Sequence, residues 1–470
     1  MDRTSEAVPG TWRELLGPRY VPVATVLAGG VLLEASNVYL TTSLLPTIVA
    51  DIGGAEFYSW TMTTFLVASV ITSMLVSRTL MARGAVAAYV LAFGLFAAGS
   101  LISAASPVMA GLLIGRAVQG LGGGLLAGLG YAMIQRALPE RLWARAAALV
   151  SAMWGVGNIL GPTVGGLFGQ LDAWRAAFVV LVVVSGLLIL LVSRAIPATG
   201  RTKVEAPVPA GSLALLTASV AAVSLASVVP AGAATAIALA VGVGLGGWFL
   251  RHERTARVRV LPEVTYRGRS RLRWVYVSVG VLAFGIGTEA FIPLFGQELG
   301  GMAPLAAGFL GAALSLGWSV TQMVTANATR PRVVRALIVG GPLLLAAGLA
   351  GYAVAQRELP GGGVIAVWVV ALFAAGAGIG LAFPHLTVAA MGSSDDEEEA
   401  AKASAGINTV FIIANAFSAA LAGVLVNLGA PSLVTSAHYL LFGFAAVVVL
   451  GVAPARLAAR AVPSATSTPV

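Results

Sequence analysis

Long apolar stretches follow one another along almost the whole chain, separated by short polar connections. A helix that crosses a bilayer needs about 20 mostly apolar residues, and these stretches reach that length. Only 10% of the residues are charged, against roughly 25% in a soluble domain, which excludes a fold around one water-soluble core. We therefore predict an all-α polytopic membrane protein with 14 spans. They lie at residues 21–49, 57–80, 84–105, 107–137, 142–169, 174–196, 211–230, 232–250, 274–297, 303–327, 333–356, 361–391, 403–428 and 433–455.

The arginines are distributed unevenly between the connections. With the N-terminus in the cytoplasm, the inner connections receive nearly all of them, including eight between Arg251 and Arg273. The outer connections receive only Arg175 and Arg357. Because basic residues are retained on the cytoplasmic side, this pattern predicts an even number of spans and two cytoplasmic termini. It also accounts for the net charge of +9, so we predict no nucleic-acid partner.

Two ten-residue blocks share one pattern and indicate an internal duplication. Residues 45–54 end span 1, and residues 292–301 end span 9. In both blocks a Pro, at Pro46 and Pro293, is followed at +5 by an acid and then by a Gly pair. We expect two related six-span bundles with spans 7 and 8 inserted between them. The predicted order is a cytoplasmic tail (1–20), an N-terminal bundle (21–200), an inserted pair with a basic cytoplasmic loop (201–273), a C-terminal bundle (274–456) and a cytoplasmic tail (457–470).

Spans 4 and 5 each carry a motif that is unusual for a helix. Span 4 contains Arg116-x-x-Gln119-Gly120, and span 5 contains a run of glycines around Pro162. Each Gly costs helix stability, roughly 1 kcal/mol against Ala, but small residues let helices in lipid approach closely. Taken alone, the glycine run is also compatible with ordinary tight packing of helices.

With these motifs the chain resembles the major facilitator superfamily, and with its inserted pair it resembles the fourteen-span drug:proton antiporter branch. Arg116 to Gly120 matches the fourth-span motif of that family. The run in span 5 matches its Gly-x-x-x-Gly-Pro-x-x-Gly-Gly antiporter motif. The residues that carry this second match are Gly155, Gly157, Gly161, Pro162, Gly165 and Gly166. The loop between spans 2 and 3 departs from the family pattern, because Met81 stands where an Asp is expected before Gly84.

The resemblance implies two bundles that face each other across a central cavity and work by alternating access. It implies proton-coupled efflux of amphipathic or cationic drug-like compounds, energised by a proton gradient without a cofactor. It places such a protein in the bacterial cytoplasmic membrane, and we expect a monomer. The alternatives are export of an endogenous lipid, siderophore or metabolite, and a transport-inactive scaffold or sensor.

Three charged residues stand well inside predicted spans, and they are the candidate proton-coupling groups: Glu34, Arg116 and Glu289. At ~1.5 Å per residue, Glu34 lies about 20 Å above the inner start of span 1, and Arg116 about 14 Å below the outer start of span 4. These depths are compatible, so we predict that Glu34 and Arg116 approach each other or share a polar network. A static buried pair that fixes helix register is the alternative. For Glu289 the alternative is that it reaches the outer interface.

A coupling role for these groups follows from general electrostatics. The proton affinity of a carboxylate changes with burial and with the distance to an arginine. A carboxyl group that takes up a proton on one side and releases it on the other can drive the exchange of a substrate. The ionised carboxylate can also attract a cationic substrate, so proton and substrate exclude each other.

Amides and aromatic residues at helical spacing around these charges are the predicted lining of a substrate cavity. They are Asn37, Thr41 and Gln119 in the N-terminal half, and Trp318, Gln322, Asn408, Phe411 and Asn415 in the C-terminal half. Such a lining suits amphipathic molecules, but the same residues also serve as interhelical hydrogen-bond and packing partners. His385 titrates near neutrality if it is accessible, and it is otherwise a structural histidine.

The remaining features exclude several function classes. Asp395 to Glu399 form an acidic run that we interpret as a helix start, with Ser394 as its cap, and as a source of salt bridges between inner loops. With no Cys and three His, no metal site is predicted. Neither a nucleophile motif nor a phosphate-binding loop is present in the sequence, so we do not expect an enzyme.

Overall fold

The computed structural model describes residues 11–197, 208–266, 270–328, 330–393 and 397–460. These residues are almost entirely helical, and no strand occurs among them. The first half contains α1 (Trp12–Leu15), α2 (Val21–Ile52), α3 (Trp60–Ser73), α4 (Val76–Arg83), α5 (Ala85–Ala105), α6 (Met109–Ala132), α7 (Ile134–Ala137), α8 (Glu140–Gln170) and α9 (Trp174–Ala195).

The middle segment contains α10 (Ala210–Leu225) and α11 (Ala233–Thr255). The second half contains α12 (Leu272–Ile286), α13 (Ile292–Glu298), α14 (Pro304–Thr325), α15 (Pro331–Val354), α16 (Gly362–Met391), α17 (Glu397–Leu428), α18 (Leu433–Leu450) and α19 (Val452–Ala459). Short 3-10 helices lie at Ala55–Phe57, Glu263–Tyr266 and Gly287–Ala290.

The described residues contain fewer clear spans than the 14 predicted. Twelve helices are long and apolar enough to cross a membrane, and α3 with α4 makes a thirteenth if this bent pair counts as one span. The predicted span at 211–230 corresponds to α10, which has only 16 residues. At ~1.5 Å per residue this helix is about 24 Å long, shorter than a ~30 Å hydrocarbon core. The membrane-spanning all-α fold is confirmed, and the count of 14 is not.

The second predicted span, at 57–80, is broken rather than straight. The axes of its two parts differ by 55°, and the break follows Ser73. The Thr72 hydroxyl donates to the Ala68 carbonyl at 3.2 Å, and the Ser73 hydroxyl donates to the Val70 carbonyl at 2.9 Å. Hydroxyls that bind back to the preceding turn compete with the helical ladder and bend it.

The helix ends define two faces of the bundle. The basic face carries Arg83, Arg141, Arg194, Arg254 and Arg273. The acidic face carries Asp51, Glu56, Glu298 and Glu358. Since consecutive long helices are antiparallel, α2 runs from the basic to the acidic face, and α6 runs in the opposite direction.

Buried apolar residues form two large cores. One lies within α1 to α9 and includes Phe93 and Trp174. The other lies mainly within α12 to α19 and includes Trp368 and Phe444. This division agrees with the duplication inferred from the two Pro-acid-Gly-Gly blocks, while the exact bundle boundaries stay predictions.

The inserted hairpin α10–α11 is closed at the basic face by Glu253, whose side chain is fully buried. Its carboxylate accepts hydrogen bonds from the Ser212 hydroxyl at 2.5 Å, the Val260 amide at 2.9 Å and the Tyr266 hydroxyl at 2.9 Å. A buried carboxylate is stabilised when several donors surround it. Glu253 therefore ties α10 to the connection that leads into the second half.

Candidate functional site

Arg116 lies at the centre of a buried polar network in the first half, with no exposed surface. Its Nε donates to the Thr61 carbonyl at 3.1 Å, and its Nη1 donates to Asn37 Oδ1 at 3.0 Å and also to Gln119 Oε1. The guanidinium carbon lies 4.3 Å from the centre of the Phe65 ring. Dipoles and an aromatic face thus stabilise a charge that would otherwise be very costly in a membrane.

The network joins four helices, since its groups belong to α2, α3, α5 and α6. Gln119 Nε2 donates to the Ser100 hydroxyl at 2.7 Å, and Ser100 donates to the Phe96 carbonyl at 2.8 Å. Thr41 Oγ1 lies 3.4 Å from Asn37 Oδ1. Asn37, Thr41 and Gln119 are all fully enclosed. Asn37 and Gln119 make interhelical hydrogen bonds in this conformation, which was the alternative to a cavity lining, while Thr41 contacts Asn37 within α2.

Glu34 lies one helical turn from Asn37, closer to the basic face. It is only 5% exposed, and its Oε2 has no hydrogen-bond partner within the described ranges. Among these residues no ion pair joins Glu34 to Arg116. The Glu34 stem instead lies beside Gly123, where an added methyl group would be 3.7 Å from its Cγ. The structure therefore places Asn37, and not Glu34, against the guanidinium.

The glycine motif of α8 faces α2 on one side. Three of its glycines, spaced four residues apart, lie so close to α2 that an added Cβ atom would come within about 2.5–2.6 Å of an α2 atom. The pairs are Gly157 with Ala35, Gly161 with Tyr39, and Gly165 with Leu40. The close helix approach that the motif predicts is present, and α2 is the partner.

The other side of the same motif contacts the second half. Gly166 lies against Leu305, and Pro162 lies against Gly308, both in α14. Gly155 has open space around it. The two halves also meet where Gln297 Nε2 donates to the Ser43 carbonyl at 3.4 Å. These contacts join the halves toward the acidic face.

Glu289 belongs to a second polar group, which also spans the two halves. It lies in the 3-10 segment between α12 and α13, is 7% exposed, and accepts a hydrogen bond from the Ser315 hydroxyl at 2.5 Å. The hydroxyl of Tyr39 in α2 lies 3.3 Å from the same Ser315 oxygen. A 3-10 segment within a long helix often marks a hinge, and here it carries a buried carboxyl group at the interface between the halves.

The predicted lining of the second half is an aromatic group with amides beside it. The Trp318 ring lies 5.5 Å from the Phe383 ring and 5.8 Å from the Phe411 ring. Its indole nitrogen donates to Gln322 Oε1 at 2.8 Å. Asn415 donates to the carbonyl of Phe411 within the same helix at 3.0 Å. These side chains are half-buried, so part of each remains accessible.

Three further candidates lie apart from these groups. Asn408 is exposed. His385 is 6% exposed, and its Nε2 has no hydrogen-bond partner within the described ranges. In the acidic run, residues 394–396 lie outside the described residues, and Glu399 pairs with Lys402 at 3.5 Å.

Sequence reasoning missed Tyr39 and Ser315. Ser315 precedes Trp318 and Gln322 by three and seven residues, the same spacing that relates Glu34, Asn37 and Thr41. Such spacing puts side chains on one helix face, so the pattern could have identified Ser315 as a neighbour of Trp318 and Gln322. No sequence pattern identifies Tyr39, because its role depends on how the two halves dock.

Comparison with known proteins identifies the chain's relatives. The model of the Major Facilitator Superfamily matches residues 27–419. A Mycobacterium tuberculosis protein named "Probable multidrug-efflux transporter" is 44% identical over 455 residues, which cover 94% of this chain and 95% of that protein. The multidrug transporter protein MdtP of Bacillus subtilis is 23% identical over 366 residues, covering 75% of this chain and 66% of that protein.

Solved structures of low sequence identity share the fold. A peptide transporter POT in complex with sulfate has a TM-score of 0.68 at 15% identity, covering 93% of this chain and 94% of that chain. A D-xylose-proton symporter has a TM-score of 0.66 at 13% identity, covering 96% and 100%. The family model and the 44% identical relative show that the chain belongs to the Major Facilitator Superfamily, as a multi-pass membrane transporter of small molecules and not an enzyme.

Proposed function

We propose that this transporter exports amphipathic or cationic drug-like compounds in exchange for protons, by alternating access of its two halves. The relative with 44% identity is named a probable multidrug-efflux transporter and is matched over nearly its whole length. The half-buried aromatic group around Trp318 fits an amphipathic substrate, since it offers apolar surface with amide groups beside it.

The proposal of proton coupling rests on one observation, the two buried carboxyl groups, one in each half. Neither Glu34 nor Glu289 makes an ion pair with any residue in the described part of the chain. An acid inside the membrane is costly when ionised and unpaired, so gain or loss of a proton changes its energy strongly. Proton and organic cation then compete for the same carboxyl groups.

The contact of Tyr39 with Ser315 and Glu289 supports a link between protonation and the movement of the halves. Tyr39 lies in α2, and its Cβ is the atom that a Cβ added at Gly161 of the glycine motif would approach most closely. A change at Glu289 reaches the first half through Ser315 and Tyr39. The halves touch toward the acidic face in this conformation, which supports substrate entry from the basic face.

We further propose that the basic face is cytoplasmic, in agreement with the positive-inside rule, and that α10 is a full span, which gives 14. The connectivity supports this second point. α9 ends at the basic face and α11 begins at the acidic face, and a full span at α10 would account for this change of side. We retain a monomer in the bacterial cytoplasmic membrane as part of the proposal.

The test is efflux of a fluorescent organic cation from proteoliposomes with an imposed pH gradient. We expect Glu34→Gln and Glu289→Gln to abolish gradient-driven efflux, because an amide cannot exchange a proton. Glu358→Gln is the matched control, since it changes an exposed carboxylate that takes no part in either polar group. Gradient-driven efflux that survives in both buried variants would refute proton coupling through these residues.

A further inference from the structure

A cavity of about 280 Å³ opens at the acidic face, away from the buried carboxyl groups. We call it the outer cavity. Its wall combines the end of α2, the 3-10 turn that follows and the two residues before α3 with α13, α17 and the start of α18. The two halves therefore each supply one side of it.

Two carboxylates, one from each half, line the outer cavity. Glu56 comes from the first half and Glu298 from the second, and both are exposed. Neither forms a salt bridge with a residue that the structure describes. The cavity therefore combines a double negative charge with walls that are mostly apolar.

The predicted duplication sets Glu298 apart from its counterpart in the first half. Its counterpart in the first block is Asp51, which accepts hydrogen bonds from Arg175 at 2.6 Å and from Trp174 at 3.0 Å. Trp174 and Arg175 lie in the first turn of α9, the last long helix of the first half. The last long helix of the second half, α18, begins at Leu433 and has no arginine in its first turn. The first-half acid is neutralised in place, while the second-half acid is left facing the outer cavity.

Buried hydroxyl groups without partners provide an independent indication of a ligand. Tyr58 and Ser59 line the outer cavity and are 6% and 3% exposed. Neither hydroxyl has a hydrogen-bond partner within the described ranges. Buried polar groups are nearly always satisfied. The Tyr58 ring also stacks on Phe291 with ring centres 4.9 Å apart, which gives the cavity an aromatic wall.

We propose that the outer cavity binds a compact aromatic organic cation, with Glu56 and Glu298 on its charge and the Tyr58–Phe291 stack against its ring. The volume suits a small ligand, since sites for drug-sized molecules begin at roughly 300 Å³. Aromatic faces and carboxylates both favour a quaternary ammonium group. Because the ligand bridges the two halves, its binding holds the acidic face closed and slows transport.

The probe is benzyltrimethylammonium, which is permanently charged, with N,N-dimethylbenzamide as the neutral comparison. Binding is measured by calorimetry on the full chain in nanodiscs. We expect Glu56→Gln and Glu298→Gln each to weaken binding about threefold to fivefold, as for exposed charge pairs, and the double variant about tenfold. Asp172→Asn is the control, because it removes an exposed acid of the same face that does not line the cavity.

Two further measurements keep the proposal separate from proton-coupled export. Glu34→Gln should retain the part of probe binding that depends on Glu56 and Glu298, even where gradient-driven efflux is lost. Wild-type binding should weaken as NaCl rises, since salt screens exposed charges. Equal binding by wild type and the double variant, equal binding of the neutral amide, or binding indifferent to salt would each overturn the proposal.

Discussion

The contrast between two glycines of α8 offers a sharp test of the packing of α8 against α2 within the first half. Gly161 and Gly155 belong to the same motif and the same helix. An added Cβ at Gly161 would lie 2.5 Å from Tyr39 Cβ and 2.7 Å from the Ser36 carbonyl oxygen. An added Cβ at Gly155 would meet no atom within 4 Å.

The expected magnitudes follow from these distances. Replacing Gly by Ala within a helix stabilises it by about 1 kcal/mol, and this gain is the same at both positions. An ordinary carbon–carbon contact is about 3.5–4.0 Å, so at position 161 α8 must move away from α2 by about 1 Å. Overpacking of this kind costs about 1–3 kcal/mol. Gly161→Ala should therefore be less stable than Gly155→Ala by about 1–3 kcal/mol.

The free energy of unfolding is measured on the purified chain in mixed micelles with a rising fraction of SDS. Efflux is measured on the same variants, because displaced Tyr39 should also weaken the contact with Ser315. We expect Gly155→Ala to equal or exceed wild type in stability and to transport normally. Equal stability and equal transport in the two variants would refute the close α2–α8 contact.

Three more predictions concern other parts of the chain. Arg116→Lys should lower stability and efflux, because an ammonium group cannot keep the planar set of hydrogen bonds; unfolding and efflux assays that match wild type would contradict this. Since the chain has no Cys, Ala231→Cys should react with an impermeant maleimide only from the outside of intact cells, and labelling only after lysis would contradict 14 spans. The hydrogen bond with Arg141 lowers the pKa of Glu14 below its usual value of 4.5. The contact between Glu14 and Arg141 therefore stabilises the fold above pH 4.5, and this stabilisation is lost as the pH falls through the lowered pKa. Limited proteolysis of residues 11–20 should accelerate as the pH falls below 4.5, and a cleavage rate independent of pH would contradict the contact.

The sequence predicted the class of fold because its main signal, repeated apolar stretches of bilayer length, is local. It also predicted a buried network around Arg116 that includes α2. It did not identify the partner correctly, since residue depth along two helices cannot tell Glu34 from Asn37 one turn away. The rotation of a helix about its own axis is set by packing against several neighbours. It cannot be predicted from the sequence of that helix alone.

The contacts between the halves were harder still to predict. The glycine motif predicts that a helix comes close, but not that α2 covers one side and α14 the other. The group of Tyr39, Ser315 and Glu289 combines residues separated by more than 250 positions. Only the docking of the two halves brings them together. The structure has fewer clear spans than the sequence predicts for a simpler reason, because α10 ends before its apolar stretch does.

Glu253 has a consequence for how the chain is made. The ribosome synthesises α10 first, so Ser212 is already present when Glu253 is made. The other two donors come later, the Val260 amide by seven residues and the Tyr266 hydroxyl by thirteen. Because burying the carboxylate without its donors is costly, we expect it to stay hydrated until they are present. Closure of the inserted hairpin is thus timed by the arrival of the segment that leads into the second half. The first half and the hairpin should be inserted before the second half begins to assemble.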